Sequence, residues 1–212
     1  MSSSQDSNWK TRLVEGGFPD RSFDIEFWQA QGDEAIFAAA WEMVELAEEV
    51  RYGRKPTFQR TATTLKRLSN DFEVRYLIVG GYAIMKYTEP LYTKDLDIWV
   101  ENSAENSSRV FDALKEFGAP LESDNITPET FTRSETTYQI GIAPIRIDIL
   151  TEITGVEFSA AWKKRVSGTI FAVPVPFISL DHLIANKQAT GRSNDLEQLK
   201  HLSKKAESGK QD

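Results

Sequence analysis

The sequence predicts an α/β fold in which helices flank a short mixed β-sheet. Two observations predict the sheet: an apolar, β-prone run at 76–79 that ends at a Gly-Gly pair, and an apolar strand at 95–100. A third is a pair of alternating apolar runs at 138–142 and 145–150, which predicts a hairpin. Helical patterns precede and follow these strands, so we expect a helical N-terminal extension and a helical C-terminal part.

The chain divides into four parts by composition and pattern. Residues 1–22 are polar and interrupted by Gly and Pro, which predicts a disordered or loosely attached start. Residues 23–60 form an N-terminal helical accessory segment, and residues 61–205 form the main α/β domain. Residues 206–212 make a polar tail.

Two helices are predicted before the first strand. The first runs from about Asp33 to Arg51 and is ended by Gly53 and Pro56. Its apolar residues recur at steps of three and four, as an amphipathic helix requires: Phe37, Ala40, Trp41, Val44 and Ala47. The second helix spans about 61–72, carries Leu65, Leu68 and Phe72 on one face, and leads into the strand at 76–79.

Further elements follow the strand at 95–100. A helix is predicted over 107–117, with Gly118 at its C-terminal end, and residues 119–137 form an irregular loop. The run at 170–175 predicts one more strand, which leads into the C-terminal helices.

Composition indicates an ordinary globular enzyme and excludes several classes of function. The chain has 212 residues, 40% of them hydrophobic, and no apolar run long enough to cross a membrane. It lacks cysteine, which excludes thiolate chemistry, and its two histidines, His182 and His201, form no cluster. The start resembles no signal peptide, so we expect a cytoplasmic protein. A net charge of −7 argues against nonspecific coating of nucleic acid.

Three aspartates on two strands are the candidate catalytic residues. Asp95 and Asp97 are two residues apart in one strand, so both carboxylates point to the same face. In the strand at 145–150, the isoleucines occupy one face and leave Asp148 on the other. Three neighbouring carboxylates repel each other unless a cation lies among them, as at a divalent-metal site for phosphoryl transfer.

The order of these motifs resembles that of the nucleotidyltransferase superfamily with the DNA polymerase β-like fold. The segments that carry the likeness are Ile78-Val-Gly-Gly-Tyr-Ala-Ile84 and Tyr92-Thr-Lys-Asp-Leu-Asp-Ile98, and it covers about residues 60–205. The sequence is most similar to the bacterial minimal and toxin–antitoxin branch. The resemblance implies that Gly80 and Gly81 hold a nucleoside triphosphate.

The same resemblance to the nucleotidyltransferase superfamily implies that Asp95, Asp97 and Asp148 bind Mg²⁺ or Mn²⁺. Asp148 either binds a second metal ion or takes the proton from the attacking hydroxyl group; the sequence leaves both roles open.

The C-terminal part resembles a second motif of the same superfamily. A helix is predicted to begin at Ser179, which suits an N-cap, and to end at Gly191. The resemblance implies that Lys187 contacts the nucleotide phosphates, while Arg192 and Asp195 organise the helix junction. Gln198 stands where relatives commonly have a second aspartate, which departs from the pattern.

One further departure lies ahead of the first metal aspartate. Relatives often carry an arginine where this chain has Leu91, and that arginine can steady phosphate or substrate. Lys94 is the nearest substitute for the charge, but strand parity directs it away from the face that carries Asp95 and Asp97. The departure bears on catalytic rate and on triphosphate specificity.

The N-terminal segment has two interpretations. It is an accessory helix that docks on the catalytic domain through Trp28, Phe37 and Trp41. Alternatively, residues 23–60 resemble the small companion protein often encoded beside such nucleotidyltransferases, and would then be a fused regulator.

Three functions remain open at this point. The first is a nucleotidyltransferase that modifies RNA or a partner protein in a toxin–antitoxin-like setting. The second is a transferase of small molecules such as antibiotics. The third is a nucleotide-binding or partner-binding module with little catalysis.

Overall fold

The computed structural model describes residues 21–53, 65, 66, 68, 71–142, 145–193, 195, 198–200 and 202. Predictions for residues 1–20, for most of the 61–72 helix and for the polar tail at 206–212 lie outside these residues. Leu65 and Leu68 of that helix are described, and both are buried, as the pattern predicted.

A six-stranded mixed sheet forms the centre of the molecule, which confirms the predicted α/β class. Its order is β3-β4-β2-β1-β6-β5. The β2–β4 and β1–β6 pairs are parallel and the other neighbours are antiparallel. The strands are β1 Tyr76–Ile78, β2 Asp95–Val100, β3 Thr137–Ile142, β4 Ile145–Leu150, β5 Val166–Ile170 and β6 Val173–Phe177.

Helices surround this sheet, and three of them end at glycines that the sequence marks as stops. Gly53, Gly118 and Gly191 all have the left-handed backbone that favours glycine. No described helix is long and apolar enough to cross a membrane. The helices are α1 Ser22–Gln31, α2 Asp33–Tyr52, α3 Gly80–Tyr87, α4 Ala104–Phe117, α5 Phe158–Lys163 and α6 Leu180–Thr190. The 119–137 loop contains a short 3-10 helix at Thr130–Thr132.

The N-terminal helices pack against α3 and the sheet through α2. The Phe37 ring stacks on Tyr82 of α3 and on Phe177 of β6, with ring centroids 5.6 and 6.0 Å apart. The buried face of α2 differs slightly from the predicted one, because Trp41 and Ala47 are only half-buried. Its buried members are Ile36, Phe37, Ala40, Val44 and Glu48.

Polar contacts join the same surfaces. Asp33 at the start of α2 forms an ion pair with Lys86 of α3 at 2.7 Å. In α1, the Gln29 side chain donates a hydrogen bond to the Thr88 carbonyl at 2.7 Å, and Trp28 packs against the core. Both N-terminal helices therefore contact the segment that follows the Gly-Gly turn.

One predicted strand was wrong, and one predicted helix cap lacks its usual hydrogen bond. The run at 170–175 is not one strand but the tip of the β5–β6 hairpin, because Phe171 and Ala172 adopt left-handed φ angles of 49° and 62°. Such a turn usually carries Gly or Asn, so its sequence gave no turn signal. Ser179 precedes α6 as predicted, yet its hydroxyl pairs with the His182 ring at 2.9 Å and makes no hydrogen bond with a helix amide.

Candidate active site

The parallel pairing of β2 with β4 brings the three candidate carboxylates to one face of the sheet. Asp97 and Asp148 are direct register partners, and Asp95 is the partner of Arg146. Neighbouring strands lie about 4.8 Å apart, so the side chains of partners on the same face meet. On the opposite face, Ile147 and Ile149 are buried in the core.

The Gly-Gly turn lies directly against Asp97. Gly80 has φ of +61°, and a Cβ atom there would be 1.9 Å from the Asp97 Oδ2 atom. A Cβ atom on Gly81 would be 2.9 Å from the Thr93 hydroxyl oxygen. Close packing therefore favours glycine at both positions, against Asp97 at Gly80 and against Thr93 at Gly81, in addition to any contact with phosphate.

Arg146 lies between two of the three carboxylates. Its Nη2 atom is 2.8 Å from Asp95 Oδ2, and its Nε atom is 2.6 Å from Asp148 Oδ1. The other Asp148 oxygen accepts a hydrogen bond from Gln139 at 3.2 Å. Sequence reasoning missed Arg146, although its spacing from Asp148 places both side chains on the same strand face.

The carboxylates are held in an environment that disfavours negative charge. Burial, together with the charges of Asp148 and Asp95, raises the pKa of Asp97 to about 6 against the opposing charge of Lys187. Burial likewise raises the pKa of Asp95, while the Arg146 guanidinium opposes that rise. The face therefore carries excess negative charge that an additional cation would relieve.

Lys187 of α6 is held by a carboxylate of its own. Its Nζ atom is 2.6 Å from Asp195 Oδ1, and the Thr190 hydroxyl is 2.6 Å from Asp195 Oδ2. Burial opposes charge on Asp195, but the hydrogen bonds from Lys187 and Thr190 outweigh it and lower its pKa. Arg192 is exposed, whereas the Gln198 side-chain oxygen is buried without a hydrogen-bond partner among the described residues.

Lys94 does not supply the charge that Leu91 lacks. Its Nζ atom is 2.6 Å from Oε1 of Glu48, a residue of α2 whose side chain is 1% exposed. The second Glu48 oxygen is buried and has no hydrogen-bond partner within the described part of the chain. Leu91 packs against the core. The guanidinium beside the carboxylates comes instead from Arg146, on a different strand.

The donor set fits a hard divalent cation in its chemistry. Carboxylate oxygens are the ligands that Mg²⁺ and Mn²⁺ prefer, and Asp95, Asp97 and Asp148 present them on one face. Among the residues that the structure describes, no three carboxylate or histidine side chains lie at the spacing that would hold a metal ion. Two of the three carboxylates are bound to Arg146, which is the contact that a metal ion would have to replace.

Comparison with known proteins identifies the family of the chain. The molecule is an enzyme of the nucleotidyltransferase superfamily. It belongs to the aminoglycoside-2''-adenylyltransferase family, which residues 62–202 match over more than half of the chain. A crystal structure of a candidate nucleotidyltransferase from Thermotoga maritima is similar, with a TM-score of 0.42 and 15% identity, over 71% of this chain and 92% of that chain. A search of curated proteins finds no match.

Proposed function

We propose that the protein transfers a nucleoside monophosphate from a nucleoside triphosphate to a hydroxyl group of a small, cationic acceptor of the aminoglycoside type. The observation that carries the proposal is the position of Asp97, which lies against Gly80 and opposite Asp148. This arrangement combines a candidate phosphate-binding turn with candidate metal ligands, and the family match adds the class of acceptor.

Each residue of the site has a proposed role. Asp95 and Asp97 would hold Mg²⁺ or Mn²⁺, which would supply positive charge to offset the negative charge that develops on the leaving pyrophosphate. Gly80 and Gly81, at the start of α3, offer backbone amides and a helix N-terminus to the phosphates. Asp148 either accepts the proton of the attacking hydroxyl group or binds a second metal ion. The hydroxyl oxygen bonds to the α-phosphorus as the bond to pyrophosphate breaks.

Charge favours a small cationic acceptor over RNA. The net charge of −7 repels a polyanion and attracts a polycation. An exposed basic cluster at 163–165 is the feature that favours RNA. Its neighbour Trp162 lies under Arg75, with the guanidinium 5.0 Å from the ring centroid, and Arg75 pairs with Glu101 beyond the end of β2.

The position of that cluster weakens the case for RNA. Asp95 begins β2 and Glu101 follows its last residue, so the two are about 20 Å apart along the strand. The basic cluster therefore lies at the opposite end of the sheet from the candidate site. Transfer to RNA or to a partner protein, in a toxin–antitoxin-like setting, is accordingly the second candidate function.

The test is incubation with each nucleoside triphosphate labelled at the α-phosphate, together with Mg²⁺. Parallel reactions contain a set of aminoglycosides, total RNA or a protein extract. We expect label on an aminoglycoside with the wild-type chain and none with Asp97→Asn. Label on RNA or protein that requires Asp97 would establish the second candidate. Nucleotide binding without transfer to any acceptor would leave the chain as a binding module.

Lys187→Ala is expected to weaken triphosphate binding by about tenfold, because the ammonium group would act as a point charge for phosphate. The structure adds a second effect. Asp195 is buried and loses its cationic partner in this variant, so the free energy of unfolding should fall by about 2–4 kcal/mol. Nucleotide affinity is measured by calorimetry with Mg²⁺ present, and stability by urea denaturation.

The double variant Lys187→Ala/Asp195→Ala separates these two effects. It removes the unpaired carboxylate and should regain most of the lost stability, while the triphosphate affinity stays low. Recovery of nucleotide affinity together with stability would show that Lys187 is structural and does not bind phosphate.

A further inference from the structure

Arg146 is the one cation that bonds to the candidate metal ligands among the described residues. Its guanidinium bridges Asp95 on β2 and Asp148 on β4, at 2.8 and 2.6 Å. Asp97, the register partner of Asp148, lies on the same face. The positive charge of Arg146 thus lies where the like charges of two strands would otherwise repel each other.

We propose that Arg146 is a displaceable counter-cation. When a divalent metal ion binds Asp95 and Asp148, the Arg146 guanidinium leaves these two carboxylates and binds the triphosphate. The inference rests on the proposed metal-dependent function and deepens it. It makes metal binding and the creation of a phosphate-binding group one coupled event.

Arg146 and a metal ion would compete because few carboxylate oxygens of Asp95 and Asp148 are free. Asp148 has one oxygen bound to Arg146 and the other bound to the Gln139 amide. Asp95 binds Arg146 through Oδ2. A cation that coordinates both aspartates needs oxygens that the guanidinium now occupies, and two positive charges at one place also repel each other.

The guanidinium is able to leave. The Arg146 side chain is 43% exposed and its partner Asp95 is 41% exposed, so this ion pair is open to solvent, whereas the side chain of the second partner, Asp148, is only 9% exposed. The exposed pair with Asp95 is weak and contributes at most a few-fold to an equilibrium, whereas the pair with the buried Asp148 carboxylate contributes more. A divalent ion that binds three carboxylates outcompetes bonds of this strength.

Phosphate is the chemically suited destination for the released group. A guanidinium presents a planar fork of donors that matches two phosphate oxygens, whereas a lysine acts only as a point charge. The nucleotide phosphates would lie beside the metal ligands, within reach of the same side chain. This placement also supplies, from β4, the arginine that is missing at Leu91.

The decisive measurement is Mn²⁺ binding without nucleotide, by calorimetry on the full chain. Arg146→Gln should bind Mn²⁺ on the order of tenfold more tightly than the wild type, because the competitor is gone. Arg109→Gln is the matched control. Arg109 also forms an ion pair, with Glu105 at 2.7 Å, but its guanidinium contacts the Glu73 carbonyl, before β1, at the end of the sheet opposite Asp95. Its Mn²⁺ affinity should equal that of the wild type.

The second measurement is the affinity for a non-hydrolysable ATP analogue at saturating Mn²⁺. Here Arg146→Gln should bind about tenfold more weakly than the wild type. Arg146→Lys retains the charge but loses the fork, so both affinities should lie between those of the wild type and Arg146→Gln. A thermal melt with a chelator checks that each variant is folded.

The outcomes separate this inference from the proposed function. If Arg146→Gln binds Mn²⁺ equally or more weakly, Arg146 organises the carboxylates and does not compete for them, and the inference is overturned. If Mn²⁺ binding tightens but nucleotide affinity is unchanged, the assignment to phosphate fails. If the wild type and Asp97→Asn bind Mn²⁺ equally weakly, the proposed metal site itself fails, and the inference fails with it.

Discussion

Asp97→Asn is expected to reduce nucleotidyl transfer by roughly a thousandfold or more, while the metal-free protein becomes more stable at neutral pH. The loss of activity follows from the loss of a metal ligand that contributes several kcal/mol to stabilising the transition state. The gain in stability follows from the site itself. Asp97 carries its charge in a half-buried position beside Gly80 and opposite Asp148, and asparagine removes that charge with little change in shape.

The pH dependence of stability gives the sign of this effect. The pKa of Asp97 is about 6 in the folded protein, above an ordinary value of about 3.9 in the unfolded chain. The folded state therefore binds the proton more tightly than the unfolded state. The contribution of the Asp97 carboxyl group to stability is therefore complete below a pH of about 4 and is lost as the pH rises through about 6. At pH 8 the substitution should raise the free energy of unfolding by about 1–3 kcal/mol.

Urea denaturation at pH 4 and pH 8, with a chelator present, measures this difference. The two proteins should be equally stable at pH 4 and should diverge as the pH rises. Asp112→Asn on the exposed face of α4 is the matched control, and it should match the wild type in both stability and rate. An Asp97→Asn protein that transfers at the parental rate, or that is destabilised at pH 8, would refute the assignment.

Strand parity explains why the carboxylates were predictable. A period of two fixes the face of every side chain once a strand is recognised, so Asp95 and Asp97 had to share a face. That Asp148 meets them depends on which strands are neighbours. The parallel β2–β4 pairing is set by the whole sheet and has no signature within either strand. The resemblance to a known superfamily supplied that information.

The contacts that the sequence did not reveal are long-range ones. The Arg146 side chain reaches Asp95, which is 51 residues away in the chain, and Glu48 reaches Lys94 across 46 residues. Neither pair follows from local periodicity, because each depends on how separate elements pack. The β5–β6 turn was missed for a local reason, since Phe171 and Ala172 lack the residue types that mark left-handed turns.

Phe37→Ala is expected to lower the free energy of unfolding by about 3–5 kcal/mol, the usual cost of emptying a buried aromatic site. Phe37 is buried between α2 and the catalytic domain, and its ring stacks on Tyr82 and Phe177. Leu46→Ala on the same helix is the matched control, because the Leu46 side chain is 63% exposed. That variant should change stability by less than about 0.5 kcal/mol. Urea denaturation compares both variants with the wild type.

Deletion of residues 1–60 then separates docking from regulation. The deletion uncovers Tyr82 and Phe177 and removes the carboxylate partners of Lys86 and Lys94, so we expect lower solubility and a lower melting temperature. A fused regulator predicts a different outcome: the truncated domain stays folded, transfers nucleotide faster, and is suppressed again when residues 1–60 are added as a separate peptide. A truncated protein that is folded, soluble and unchanged in rate would contradict both interpretations. The aromatic stacking of Phe37 and the two ion pairs favour docking, because a removable regulator has no need to complete the core of the domain that it controls.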